Sequence, residues 1–469
     1  MSDLVVAANR GPFSLAERED GSIEARPGGG GLAPSVAAAL SAAGREALWV
    51  ATAMTPAEHR AAKEGTLETG QAGLSLRLVE LDAGTYASAY DVIANSTLWF
   101  LFHGLFDAAR RPVFDQAWRQ AWEAFREYNA AFGDRICEEA STAATVLVND
   151  YHLPLVGRVL AERRPDLSTV HFTHTPFASA DELAMLPRHV RRELIDGLSG
   201  FGACGFHTPR WQHRFEEAAA AVAGHAPETF AAPLGADRAR LDEVAASPAC
   251  AERLAELEER VGDRTVIVRS DRMELSKNLL RGFLAFDALL EERPELRGRV
   301  CFVARAYASR EGLAEYLAYR SETEHLAALL NEKWAPRCGG EPPILLDVDD
   351  DFPSTVAAFR RYDVLLVNPV RDGMNLVAKE GPLVNEHDGL LVCSEQAGAY
   401  DELSDVALGV QPFDVTDTAA ALARALDMPA EERRRRSAEL ARRATRGAPA
   451  SWLAEVLSHA RPQGDLAGS

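Results

Sequence analysis

Arg272 and Lys277 follow an apolar run in "VIVRSDRMELSKNLL" (266–280) and precede what reads as a helix. A guanidinium offers a planar fork of donors and an ammonium a point charge. Together they suit a diphosphate, and fixed cations lower the barrier where a departing diphosphate gains charge. Two surface charges capped by Asp271 and Glu274 would leave the same letters. A second junction, "NPVRDGMNLVAKEGPLVNE" (368–386), puts Arg371, Asp372 and Gly373 between the apolar "VLLV" and a fresh helix. Charge, a flexible joint and a helix N-terminus at the end of a buried strand call for a reason. Two further runs end in polar groups: "VLVNDYHLP" in Asp150, Tyr151 and His152, and "VHFTHTPFA" in His174. A carboxylate accepts from hydroxyls, and a neutral imidazole can donate one bond and accept another. A satisfied core histidine is the plain alternative for His174. Zinc on His152 and His174 lacks a third ligand at metal-type spacing. Finally, "RPGGGGLAPSVAAAL" (26–40) sets Gly28, Gly29, Gly30 and Gly31 before an Ala-rich helix. Such a loop lets backbone N–H groups approach an anion at a helix N-terminus, although it matches neither GxGxxG nor a P-loop and could be a simple connection.

These groups need a scaffold of strand ends. Apolar runs at 4–9, 47–53, 97–103, 145–150, 169–175 and 202–208 alternate with helical patterns, and a second series follows at 265–270, 299–305, 344–348, 363–369, 389–394 and 407–412. Helical patterns cover 112–142, 155–165, 276–292, 310–333 and 417–444. Alternating β and α units predict parallel sheets with helices on both faces, and two series predict two doubly wound domains. The joint is expected at "AAPLGADRAR" (231–240), punctuated by Pro233 and Gly235. Open α/β sheets bind ligands at the carboxyl ends of strands, so a cleft between facing domains is the expected site.

The 469 residues exceed one ordinary core. With 47% hydrophobic and 26% charged residues the chain is globular. Its 70 acidic against 50 basic residues give a net charge of −20, which disfavours a nucleic-acid surface but leaves room for a local basic pocket. Six cysteines without a CxxC pair fit reduced thiols better than disulfides or zinc. The start, "MSDLVVAANRGP", reads as a first strand and not as a signal peptide. No window reaches the roughly 18 apolar residues of a membrane span. The expected location is the cytoplasm.

Taken in order, "ANRGP", "GGGGLAPS", "NSTLWFLFHGLFD", "VNDYHLPLVGRVLAERRPDL", "HFTHTPFAS", "DRMELSKNLLRGFLAFDALLEERPEL", "ASREG" and "VNPVRDGMNLVAKE" resemble the trehalose-6-phosphate synthases, retaining glycosyltransferases of family 20. The resemblance spans residues 8 to about 403. It implies an α/β GT-B fold, two doubly wound Rossmann-like domains facing each other across a cleft. Residues 1–235 would be the acceptor domain and 236–449 the nucleotide-sugar domain, with a C-terminal helix at about 450–469 crossing back. It also implies roles. Asp372 would grip hydroxyls of the donor glucose, and the backbone of Gly373, Met374, Asn375 and Leu376 would open a helix over sugar and diphosphate. Glu380 would hold the ribose hydroxyls, Arg272 and Lys277 the diphosphate, and Gly31 matches the last glycine of the N-terminal loop. Arg10, Tyr90, Trp99 and Arg310 match the clasp on the acceptor's 6-phosphate. Asp150 and His174 match groups at the reacting sugars. No cofactor and no metal are implied. The partners are a nucleotide diphosphate glucose and glucose 6-phosphate, without nucleic acid or membrane, and copies of the chain could assemble.

The expected reaction moves glucose to C1 of glucose 6-phosphate and yields α,α-trehalose 6-phosphate. Departures from the family stand at "MELSKN", where "LDYSKG" is frequent, with little effect expected on Arg272 and Lys277. A second stands at "LLDVDDDFPSTVAA" (345–358), acidic where synthases that use UDP-glucose usually carry an aromatic near the base. Asp349, Asp350 or Asp351 could accept from N1–H and N2–H of guanine, so GDP-glucose is expected over UDP-glucose. A DxD-type metal site is the alternative for the same acids. Two rival functions share the fold. A pseudo-glycosyltransferase coupling cyclitols should differ in the "NR", "GGLA" and "DGMNLVAKE" stretches, which this chain keeps. A silent sugar-phosphate sensor should have lost charged site residues, and Arg10, Asp150, His174, Arg272, Lys277, Asp372 and Glu380 are all present.

Overall fold

The computed structural model describes residues 1–18, 23–27, 32–68, 73–224 and 226–462. The chain forms two compact units, Met1–Pro233 with Pro449–Ser469, and Leu234–Ala448.

The first unit holds β1 (Ser2–Ala7), β2 (Phe13–Glu17), β3 (Ile23–Pro27), β4 (Ala47–Thr52), β5 (Leu67–Glu68), β6 (Leu74–Val79), β7 (Ala140–Asn149), β8 (Ser168–Thr173), β9 (Ala203–Phe206) and β10 (Thr229–Ala231). Its sheet runs β10-β9-β8-β7-β1-β4-β6-β5, with β2 and β3 as a separate hairpin. All pairs in the sheet are parallel except β5 on β6. The central strand is covered on both faces, which is why it reads as a continuous apolar run: Val5, Val6 and Ala7 have no exposure. The chain builds outward from β1 through β4 and β6, then returns to β1's other side with β7. Strand order therefore reverses between β1 and β7.

The second unit repeats the plan with β11 (Thr265–Arg272), β12 (Val300–Tyr307), β13 (Ile344–Asp347), β14 (Val364–Val367), β15 (Leu390–Ser394) and β16 (Leu408–Val410). Its order is β13-β12-β11-β14-β15-β16, all parallel. Here the reversal lies between β11 and β14. Crevices at the carboxyl ends of such strand pairs are where doubly wound sheets take ligands.

The structure differs from the sequence pattern at "TLWFLFH" (97–103). It is not a strand: the π-helix Ser88–Leu98 runs into the α-helix Trp99–His103, which Gly104 ends at φ 64°. Trp99, Phe100, Leu101, Phe102 and His103 are all buried, so the helix is apolar all round and a short apolar run cannot tell it from a strand. The pattern also passed over β6, whose Ser75 and Arg77 alternate with buried leucines and break the apolar run, and the helical stretch 417–444 is two helices divided at Met428–Pro429.

The last helix, Pro449–Ser458, packs with the first unit. Trp452 is buried at 1% exposure, edge-on to Phe172 at 4.9 Å and 5.7 Å from the ring of His174. The strand end at His174 is thus backed by a side chain distant in sequence. Replacing Trp452 by Ala should cost about 3–5 kcal/mol through lost burial and the cavity left behind. Urea unfolding of the first unit would show it; an unchanged midpoint would mean that this indole does not hold the helix.

Candidate functional site

Each unit gathers polar side chains at the carboxyl ends of its strands. In the first unit Asn9, Asp150, His174 and His207 follow β1, β7, β8 and β9. Asp150 adopts a left-handed backbone at φ 71°. Its carboxylate accepts from the His174 backbone N–H at 3.3 Å, and its carbonyl lies 3.1 Å from Nε2 of His171. The His174 ring has Nε2 3.0 Å from Asn149 Oδ1 and Nδ1 3.2 Å from His207 Nε2. An amide oxygen only accepts, so Nε2 carries the hydrogen and Nδ1 accepts from His207. Burial, then His207 and His171, push the His174 pKa well below the ordinary histidine value, so the ring is neutral at working pH.

The residues matched to an acceptor phosphate are also placed. Tyr90 stacks on Tyr86 at 5.3 Å and on His152 at 5.7 Å. Trp99 stacks on His103 at 3.9 Å and meets Tyr151 at 5.5 Å. Both belong to the continuous π/α segment, a helix form frequent at functional sites. Arg10 is exposed; its carbonyl accepts from Trp49 Nε1 at 3.2 Å. Beside it, Asn9 Oδ1 accepts from Thr52, Tyr86 and Tyr128. Gly31 and the glycines before it lie outside the described residues. Arg310 belongs to the second unit.

In that unit the loops after β11 and β14 are stitched together. Lys277 Nζ meets Asp372 Oδ2 at 2.5 Å, and Asn375 Nδ2 donates to the same oxygen at 3.2 Å. The Val370 N–H donates to the Ser276 carbonyl at 2.8 Å. Burial lowers the Lys277 pKa, yet Asp372 and Asp271 outweigh burial and raise the pKa above the ordinary lysine value. Arg269 and Asp271 pair beneath at 2.7 Å, and Arg269 also donates to the Lys277 carbonyl at 2.8 Å. Asn278, which stands where the resembled motif often reads glycine, sits at φ 61° and uses its amide to bond the carbonyls of Asn368 and Pro412 at 3.0 and 2.7 Å. Asparagine tolerates that backbone, and the departure adds a cross-link between three strand-end loops.

Met374 points into the core, and the segment 373–376 leads into the helix Val377–Val384 at its N-cap Leu376, where backbone N–H groups lack helical partners. Glu380 lies in the first turn of that helix. Burial, opposed by Arg240, pushes its carboxyl up to about 7. Asp347 pairs with Arg260 at 2.9 Å and Arg305 at 3.1 Å, and Asp351 with Arg253 at 2.9 Å and Ser354 Oγ at 2.6 Å. Of the acids expected at a base, Asp351 is therefore engaged in holding the turn, while Asp349 and Asp350 are exposed. Among the described residues no three His, Cys, Asp or Glu gather as a metal site.

Sequence reasoning passed over Glu274 and His207. Glu274 is fully buried beside Arg272 (2.9 Å) and Arg310 (3.8 Å), but its letter falls in a stretch where any acid would read as a cap. His207 ends the run "GACGFHT" as His174 ends "TVHFTHT"; that parallel was the available signal.

Comparison with known proteins adds the lineage. The profile of glycosyltransferase family 20 matches residues 2–461. A bifunctional trehalose-6-phosphate synthase/phosphatase from Thermoproteus tenax is 32% identical over 92% of this chain, and the match covers 60% of that protein. The chain thus spans less than two thirds of that relative's length. A trehalose-6-phosphate structure from E. coli, bound with UDP-2-fluoro glucose, superposes with a TM-score of 0.84 at 28% identity, covering 97% of this chain and 98% of the other. A UDP-forming alpha,alpha-trehalose-phosphate synthase from Burkholderia xenovorans, in complex with glucose-6-phosphate, gives 0.83 at 26% identity, covering 97% and 99%. The fold is GT-B.

The Glu380 environment makes a direct forecast. Its carboxyl should titrate near pH 7, visible as a carboxylate band in infrared difference spectra that Glu380→Gln removes. A band that titrates near the ordinary glutamate value would contradict the burial described.

Proposed function

Because the chain belongs to glycosyltransferase family 20, we propose that it is a glucosyltransferase making α,α-trehalose 6-phosphate. Glucose passes from a nucleotide diphosphate glucose to C1 of glucose 6-phosphate, with retention. The observation that carries this reading is the cation pair after β11, with Lys277 fixed on Asp372 across the strand-order reversal of the second sheet.

The chemistry follows from the groups present. As the donor C1–O bond breaks, its electron pair moves to the leaving phosphate oxygen, where Arg272 and Lys277 stabilise the new charge. The acceptor's O1 bonds to C1 from the same face of the short-lived oxocarbenium-like ion, and its proton goes to that phosphate oxygen. No side chain acts as nucleophile in this scheme; Asp372 contacts Lys277 and Asn375, and Asp150 the His174 backbone. Asp372 holds glucose hydroxyls, Glu380 the ribose, and the backbone of Gly373 to Leu376 the sugar and diphosphate. Gly31 belongs to the same donor set. Neutral His174 and Asp150 orient the reacting sugars. Arg10, Tyr90, Trp99 and Arg310 are assigned to the acceptor's phosphate, where two guanidiniums suit a dianion. In this scheme residues 1–235 form the acceptor domain and 236–449 the donor domain, with Gly31 and Arg310 each reaching the other domain's substrate. The six cysteines are free thiols, in keeping with a cytoplasmic enzyme.

We assign GDP-glucose as the preferred donor. The UDP-forming relative argues for uracil; the exposed Asp349 and Asp350 on the turn after β13 argue for guanine, which offers a carboxylate two N–H donors. A carboxylate poorly matched to uracil costs roughly 1–3 kcal/mol. Competition between equal GDP- and UDP-glucose tests this: a ratio of one, or one favouring UDP-glucose, ends the assignment.

Lys277→Ala should lower turnover by about 10²–10³-fold with the fold intact, since the leaving group loses a preorganised cation. Initial rates at saturating substrates check it, and a wild-type rate would remove Lys277 from the diphosphate.

A further inference from the structure

Glu274 is the most buried acid of the second unit's charged cluster, and the scheme above gives it no role. Its side chain has no exposure. One oxygen, Oε1, meets Arg272 Nη1 at 2.9 Å, accepts from Ser309 Oγ at 3.0 Å, and lies 3.8 Å from Arg310 Nη1. Its backbone carbonyl accepts from the Lys277 N–H at 2.9 Å, so the same residue starts the turn Leu275–Lys277. Arg310 is held in a left-handed backbone at φ 50° and bonds Tyr316 through the same Nη1, at 2.5 Å. Burial by itself would raise the Glu274 pKa, but Arg272, Arg310 and Lys277 hold it at about 2. The carboxylate is therefore ionised throughout the working range.

Arg272 ends β11 and Arg310 follows β12, and the two strands are parallel neighbours. Two guanidiniums drawn to one point repel each other unless a negative charge lies between them. We propose that Glu274 is a positioning residue for both substrates at once: its buried carboxylate aims Arg272 at the donor diphosphate and Arg310 at the acceptor phosphate. This rests on the assignments of those two arginines. A buried ion pair that only stabilised the fold is the competing account, since breaking such a pair is costly wherever it sits. That account predicts lower stability with unchanged substrate parameters in whatever enzyme still folds.

The experiment measures kcat and both KM values, with GDP- or UDP-glucose and glucose 6-phosphate, alongside the melting temperature. Arg272→Ala and Arg310→Ala come first and should impair mainly donor and mainly acceptor use. Glu274→Gln keeps the size and the acceptor oxygen but loses the charge. It should lower kcat/KM for both substrates, by about tenfold or more each, as expected when a residue's partners share one network. Glu274→Asp, which keeps the charge on a shorter stem, should recover part of both losses. In Glu274→Gln/Arg310→Ala the acceptor penalty should be smaller than the product of the single effects. If Glu274→Gln fails to fold, Ser309→Ala, which removes one bond to the carboxylate, should shift both KM values the same way by a smaller factor. If the arginine variants do not separate the substrates, the assignments fail and the proposal with them. If they do separate them, yet Glu274→Gln or Ser309→Ala changes one substrate only or neither, the assignments stand and the role of Glu274 is overturned.

Discussion

The contact between Lys277 and Asp372 joins two loops that leave neighbouring strands, and the charged end of the second unit is organised around it. Burial lowers the pKa of the Lys277 ammonium, and Asp372, with Asp271, more than offsets it. Without ligand, the pair neutralises itself. In the proposed reaction a diphosphate would compete for the lysine and free an Asp372 oxygen for sugar hydroxyls. The loops around the pair are cross-linked as well. Val370 is bonded to Ser276, Asn278 to Asn368 and Pro412, and Arg269 to Asp271 and the Lys277 carbonyl. These bonds tie the loops together independently of the Lys277–Asp372 pair.

Backbone strain is concentrated at the same places. Four of the six non-glycine residues with left-handed φ among the described residues are Asp150, Asn278, Arg310 and Asn375. Each such residue costs of order 1–3 kcal/mol unless its surroundings over-determine it. Here they do. Asp150 is fixed by the His174 N–H, Asn278 by two carbonyls, Asn375 by Asp372, and Arg310 by Tyr316 and Glu274. Asp150 directly follows β7, and Asn278, Arg310 and Asn375 sit in the segments after β11, β12 and β14.

Much of this was legible in the letters. Strand runs such as "TVIVRS" and "DVLLVNP" end in charge because a parallel sheet buries its middle and exposes its carboxyl ends, so Arg272, Lys277 and Asp372 announced themselves. The same logic marked Asp150 and His174. What stayed hidden depends on three-dimensional neighbours. "TLWFLFH" is apolar all round in either conformation, so its period could not identify the helix that carries Trp99. Glu274 reads as one more polar letter until burial places it between two arginines from different strands. Asp351 looked available to a base, but a helix distant in sequence supplies Arg253 to occupy it. Trp452 lies far along the chain from the histidine it backs, and no local pattern could join them.

The central claim is glucosyl transfer with retention onto the anomeric hydroxyl of glucose 6-phosphate. Incubation of the protein with a nucleotide diphosphate glucose and glucose 6-phosphate labelled with carbon-13 at C1, followed by NMR of the product, tests it most directly. The account predicts one phosphorylated, non-reducing disaccharide with both anomeric carbons in the α configuration. A β linkage, a product that keeps a free reducing end, or release of free glucose with unlinked labelled acceptor would contradict it.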